Sequence, residues 1–282
     1  MGSYKSTPRA RALGAQLRQA RKEAGLTMRE LAEKLKLQSH APIGHWESGA
    51  RPPKVEDVAT YLAAVGVSGS RREEILALAR RPDGPQWVSV GMPAQREQLA
   101  ALCEFERTAT HITEVTPLLV PGLLQTADYA RAIMARSGKS PAEVETRVAI
   151  RLGRRSVLER DSLRFIAMVG EAALRTVVGG VHAMTEQLRF LLKAATWPSV
   201  GIRVIPLEAD WYPAMEGAFT IFRFSDSDPI VCLENRISGM FLHRPEDVDA
   251  YEAAQAMMDG IAMGVTESLK FISDRVSRLE MM

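Results

Sequence analysis

Cysteine is scarce: Cys103 and Cys232 are the only two in 282 residues. Two thiols exclude a disulfide framework, and neither belongs to a cluster with metal-ligand spacing, so a reduced, cytoplasmic protein without a metal is expected. No stretch approaches the roughly 20 apolar residues that a membrane span needs. The Arg-rich N-terminus also lacks the apolar core of a signal peptide, so no membrane partner is expected. Catalytic signatures are missing too. There is no glycine-rich phosphate loop, no His-x-x-x-His zinc pair and no Gly-x-Ser-x-Gly elbow. His111, His182 and His243 are scattered, and Glu171, Asp210, Glu216 and Glu234 stand singly near expected strand ends. The expectation is a protein that is no enzyme and needs no cofactor.

The apolar share of 46% and charged share of 25% are those of an ordinary globular protein, and the length suits two domains. The net charge of +2 conceals an asymmetry: residues 1–81 carry a balance of +7 and the remainder −5. A small basic domain ahead of a larger acidic one points to a polyanion partner for the first alone. Residues 1–10 read as a disordered basic arm, 11–81 as the basic domain, 82–92 as a Pro/Gly-dense linker and 93–282 as the second domain.

Residues 11–81 read as all-α, about five helices. Leu13, Leu17, Ala20 and Ala24 recur at helical spacing, and Gly25 stops that helix. Thr27 with Glu30 forms a capping box for a second helix that buries Leu31, Ala32 and Leu35. Ser39 is the expected N-cap of a short third helix, with Pro42 in its first turn. Leu37, Ile43 and Trp46 fill the angle between the two, which leaves the N-terminal face of the third helix free to enter a major groove.

Leu-Thr-x-x-Glu-Leu-Ala at 26–32, Ser-x-x-x-Ile-x-x-Trp-Glu-x-Gly at 39–49 and the trailing Arg51-x-Pro resemble the Cro/cI-type (Xre) helix-turn-helix family. The turn at Lys36 to Gln38 is one residue longer than that family's usual turn, and Met28 replaces a common Gln. The resemblance implies double-stranded DNA as partner. By position, His40, Ala41, Pro42 and His45 are the base-edge readers, with Gln38, Ser39 and Gly44 adjacent. Thr27, Arg29, Lys36 and Arg51, with Met28 beside them, take the phosphate-contacting places. One module buries only about 600–1,000 Å² on DNA, so a homodimer on a palindromic operator is expected.

Helical and strand-like runs alternate over 93–282, which argues a mixed α/β (α+β) domain. Helices are expected near 94–110, 126–137, 142–160, 182–195 and 245–277, with strands at 164–169, 202–205, 219–224 and 230–233. Val-Pro-Gly-Leu-Leu-Gln-Thr-x-x-Tyr-Ala-Arg-Ala at 120–132, Glu171-x-Ala-Leu-Arg, Ile202-x-Val-x-Pro and Leu233-Glu234 resemble the C-terminal domain of actinobacterial WhiJ-like regulators. That resemblance implies a nucleoid-associated repressor modulated by a small BldB-like protein; a small-molecule effector is the competing expectation, drawn from the residues themselves. Arg151 and Arg155, in an arginine stripe, and Trp211 and Tyr212, an aromatic lip, are the candidate partner or ligand contacts. An antitoxin-like protein that binds a small partner and autoregulates its own promoter is the alternative.

Overall fold

Thr7 and Pro8 start the first helix. The Thr7 hydroxyl accepts from the Ala10 N–H at 3.1 Å, and Pro8 takes the first helical position, where a missing N–H costs nothing. This is a computed structural model that describes residues 7–80, 86–90, 94–236 and 238–282. Residues 1–6 of the expected arm, and 81–85 and 91–93 of the expected linker, lie outside the described residues. Where the two expectations can be compared they are corrected: residues 8–10 are helical, and Gln86–Val90 is a paired strand. The Thr-Pro start and a strand partner distant in sequence account for the two differences.

Helices α1 (Pro8–Glu23), α2 (Met28–Lys34), α3 (Ala41–Ser48), α4 (Val55–Ala64) and α5 (Gly69–Ala79) come first. Strand β1 (Gln86–Val90), helix α6 (Ala94–Thr108) and strand β2 (His111–Thr116) follow. Next are α7 (Ala127–Ala135), α8 (Pro141–Arg154), β3 (Arg164–Gly170), α9 (Glu171–Arg175), α10 (Val181–Ala194) and β4 (Val200–Ile205). The chain ends with β5 (Phe219–Arg223), β6 (Ile230–Glu234), β7 (Ser238–Leu242), α11 (Pro245–Ile261) and α12 (Val265–Glu280).

Two compact units emerge, and their division is not the expected break at 82–92. One unit holds residues 1–108 with 224–248, the other 109–223 with 249–282. In the first, α1–α5 enclose a core of Leu13, Leu17, Leu31, Ile43, Val58 and Leu62, all at most 1% exposed. The strands of this unit run in the order β1-β7-β6, antiparallel, with Gln86 opposite Leu242 and Val231 opposite Leu242 on the other side. Helix α6 packs on α1, β1 and β7. Its Phe105 meets Phe241 edge-on at 5.1 Å, and its Gln98 amide fills the space that Gly239 leaves open.

The second unit carries strands in the order β5-β2-β3-β4. Strands β2, β3 and β4 are parallel, with Ile112 opposite Phe165 and Ala167 opposite Ile202. The central strand β3 is buried along most of its length, as a parallel strand covered on both faces must be. The single helix expected at 245–277 is two. The break at Ala262–Gly264 docks on the edge strand: Met263 N–H donates to the Val204 carbonyl at 2.8 Å, and Val204 N–H to the buried Ser268 hydroxyl at 2.9 Å. The corner thereby satisfies edge groups that would otherwise template pairing with another chain. Strands β2 and β7 escaped the sequence reading: β2 alternates too weakly in hydrophobicity, and β7 is short and contains Gly239.

Candidate nucleic-acid interface

Helix α3 turns two faces in opposite directions. Ile43 (0% exposed) and Glu47 (3%), four residues apart, point inward, while Ala41, His45 and Ser48 are exposed. Trp46 is half-buried with its ring 6.5 Å from that of Tyr61. His40, exposed, precedes the first turn, and half-buried Pro42 and Gly44 flank the outer stripe. Ser39 does not cap the helix as expected. The N-cap is His40, and no side chain accepts from the first-turn N–H groups. Were Ser39 the cap, the third helical residue would be Pro42, which has no N–H to offer its hydroxyl.

What anchors α3 is a buried charge. The Glu47 carboxylate accepts from Arg21 Nε and Nη2, both at 2.7 Å, and from the Tyr61 hydroxyl at 2.8 Å. Tyr61 is wholly buried, and that burial beside the Glu47 carboxylate drives its phenol far above its ordinary value. Arg21, held by the same carboxylate, is raised as well. Arg18 Nη2 donates to the Glu47 carbonyl at 2.7 Å, placing a cation at the C-terminal end of α3, where the helix dipole favours it. Gly14 lets the two backbones touch: a Cβ there would stand 2.6 Å from the carbonyl oxygens of both Trp46 and Glu47.

The turn before α3 ends α2 by a double reverse bond. Lys36 N–H donates to Glu33 O at 3.0 Å and Leu37 N–H to Ala32 O at 2.9 Å, with Lys36 in the left-handed region at φ 55°. The capping box at the other end of α2 is present. Thr27 Oγ accepts from Glu30 N–H at 3.2 Å, and Glu30 accepts from the Thr27 N–H at 2.7 Å, which holds its carboxyl below the usual range. The Thr27 hydroxyl also donates to Glu30, so it is committed to the cap. Met28, Arg29, Lys36, Gln38, Ser39 and Arg51 are exposed around α2, the turn and the segment after α3.

The candidates in the second unit have other surroundings. Arg151 donates to Gln125 Oε1 at 2.8 Å; Arg155 donates to the Gln125 carbonyl and lies 4.2 Å over the Phe190 ring. Gln125 Nε2 in turn donates to Val120 O, and Gln187 holds both Leu124 O and Thr126 N–H. The apolar loop at 117–126 is thus tied down by buried amides, and the inner edge of the arginine stripe serves it. The aromatic lip divides: Trp211 is 57% exposed, while Tyr212 is buried. The acid expected near a strand end, Glu171, is 2% exposed and pairs with Arg175 while accepting from Leu207 N–H at 3.0 Å.

Three arginines of α1 escaped the sequence reading. Arg11 is buried, with its guanidinium 3.6 Å over Phe224 and 5.2 Å over Phe105, donating to Thr108 Oγ1 at 2.6 Å and Ser227 Oγ at 3.1 Å. Desolvation pulls its ionisation down to about 10. Arg18 and Arg21 are the other two. The signal was available: positions 11, 14, 18 and 21 follow a 3-4-3 spacing, which defines a second packed stripe beside the Leu13–Leu17 face.

Among the described residues, no helix is long and apolar enough to cross a membrane, and no group of three or more His, Cys, Asp or Glu could hold a metal ion. Comparison with protein families matches residues 12–75 to a helix-turn-helix domain and residues 99–274 to a domain of unknown function, DUF5753. No curated protein matches the chain. The outward stripe of α3 thus lies inside a helix-turn-helix domain, a fold used by DNA-binding regulators. Because the second match spans well over half its length, the chain belongs to the DUF5753 family, with a helix-turn-helix domain at its N-terminal end.

Proposed function

We propose that this protein is a sequence-specific transcriptional regulator, a repressor that occupies a palindromic operator as a homodimer and is modulated through its C-terminal domain by a small partner protein or ligand. It acts by occupancy and not by turnover. The observation that carries the reading is the outer face of α3: His40, Ala41 and His45 are exposed on a helix whose inner face is clamped through Glu47. Recognition needs donors held in a fixed geometry against base edges, and a helix pinned by a buried ion pair meets that need. The basic balance of residues 1–81 supplies the phosphate attraction. For a partner, the exposed side chains Leu118, Leu119, Leu207, Trp211 and Met215 give apolar contact area in segments that follow the carboxyl ends of β2 and β4.

The test is selection of genomic DNA fragments by the purified full-length protein at near-physiological salt. An inverted repeat with half-sites about one helical turn apart is the expected result. A flat, salt-sensitive background counts against specificity, and recovery of its own promoter alone favours the autoregulating, antitoxin-like version. On a recovered operator, His45→Ala is expected to relax the base choice at one position per half-site, at a cost of about 1–3 kcal/mol. Equal loss on every sequence would reduce His45 to a phosphate contact.

A further inference from the structure

The clamp behind α3 does not end within the helix-turn-helix. Arg18, whose Nη2 holds the Glu47 carbonyl at 2.7 Å, donates through Nη1 to Glu104 Oε1 at 3.0 Å. Glu104 belongs to α6, and Arg107 of the same helix grips it at 2.7 and 2.9 Å. The side chain of Arg18 is 22% exposed, that of Glu104 11% and that of Glu47 3%. Charges so far out of water interact strongly and tolerate little misplacement. A chain of ion pairs and hydrogen bonds therefore runs from α6 through Arg18 to Glu47, and from there to Arg21 and Tyr61. Arg18 and Glu47 lie in the segment matched to the helix-turn-helix, Glu104 in the segment matched to the domain of unknown function. Helix α3 has eight residues, so a shift at its C-terminal turn moves the whole of its outer face.

We propose that Arg18 and Glu104 are positioning residues for DNA binding: α6 sets the stance of the recognition helix through the Glu104–Arg18–Glu47 chain, and an event that displaces α6 changes operator affinity. This rests on the DNA-binding reading and supplies the route by which the C-terminal family domain acts on it. Arg18 is suited to the task because its planar fork can bond two acceptors at once, one on each helix.

The experiment uses the full chain with Glu104→Gln, which keeps the shape and removes the charge. Two quantities are read: affinity for a recovered operator fragment, and hydrogen exchange of the α3 amides without DNA. Affinity is expected to fall about 5-fold or more, the usual scale of coupling between sites, with faster exchange in α3. Lys270→Gln, which breaks the exposed pair with Asp274 outside the basic segment, should move neither. Arg18→Gln and the double variant separate positioning from general destabilisation. A double variant no weaker than the poorer single variant supports the relay, and losses that simply add overturn it. Wild-type operator affinity in Glu104→Gln also overturns it. Should the wild-type protein bind no operator, the DNA-binding reading fails, and α3 exchange in Glu104→Gln then decides the relay by itself, unchanged exchange overturning it.

Discussion

Lys36 sits where the backbone would rather have glycine. At φ 55° its Cβ crowds the following carbonyl, at a cost of roughly 1–2 kcal/mol for an L-residue, whereas Gly25 and Gly66 end α1 and α4 at φ 69° and 77° without it. Lys36→Gly is expected to raise stability by about 1 kcal/mol or less, after the entropy that glycine returns to the unfolded chain. The same substitution removes a charge from the face read as contacting phosphate, so binding should weaken evenly across sequences and lose about one unit of salt slope. Denaturant midpoints and a salt titration check the two effects separately; a more stable variant with an unaltered salt slope would remove Lys36 from the interface. His243 tests a different property. Burial lowers its ionisation below the ordinary 6.5, and Nδ1 is buried with no hydrogen-bond partner among the described residues. The folded state thus resists a proton that the unfolded state accepts. Its contribution to stability is present above about pH 6.5 and is lost as the pH falls below it. Thermal melts between pH 7.5 and 5 should show that decline, and His243→Gln should flatten it; an unchanged slope would place the acid sensitivity elsewhere.

At the scale of elements, α1 and α3 meet by backbone contact at Gly14 and by a buried ion pair between Arg21 and Glu47. Glu47→Gln removes one charge and leaves Arg21 uncompensated in a site that is 8% exposed, which costs about 3–5 kcal/mol. The variant is expected to unfold at markedly lower urea. A loss below about 1 kcal/mol would mean that water reaches Arg21 and that the pair does not anchor α3. The helices of this region were legible because each carries its own punctuation: the Thr27–Glu30 box, Gly25 and Gly49 speak for local structure. Glu47 was not legible as an anchor. Sequence places a carboxylate on a helix of polar and apolar residues, and only the crossing with α1 reveals that it faces Arg21 and Tyr61. The same limit hid β1 and β7, whose pairing joins residues about 150 apart. It also explains Arg151 and Arg155, which form a cationic stripe in one dimension and a clamp on Gln125 in three. The outer stripe of α3, by contrast, was readable from Ile43 and Trp46, whose apolar side chains face the angle with α2 and leave the other side of the helix over; Ile43 is wholly buried and Trp46 half-buried.

For the whole molecule, the consequence is that a helix-turn-helix and a stretch far along the chain share one unit. Residues 224–248 lie more than 140 positions beyond α5, yet Phe224 and Ser227 enclose Arg11 of α1, together with Phe105 and Thr108 of α6. A guanidinium stacked 3.6 Å from one ring and donating to two hydroxyls is costly to leave behind once its enclosure is gone, because it would stay partly desolvated without those partners. Phe224→Ala removes the closest ring. The expected result is a loss of about 2 kcal/mol or more, the scale of a desolvated cation–π contact with the packing of the ring itself added. The location of the loss is the sharper prediction. Hydrogen exchange should quicken in the first turns of α1, around Arg11, as well as near residue 224, since both belong to one cooperative unit. Exchange confined to 224–248 would mean that the N-terminal helices open and close on their own, and that Arg11 merely rests against that segment.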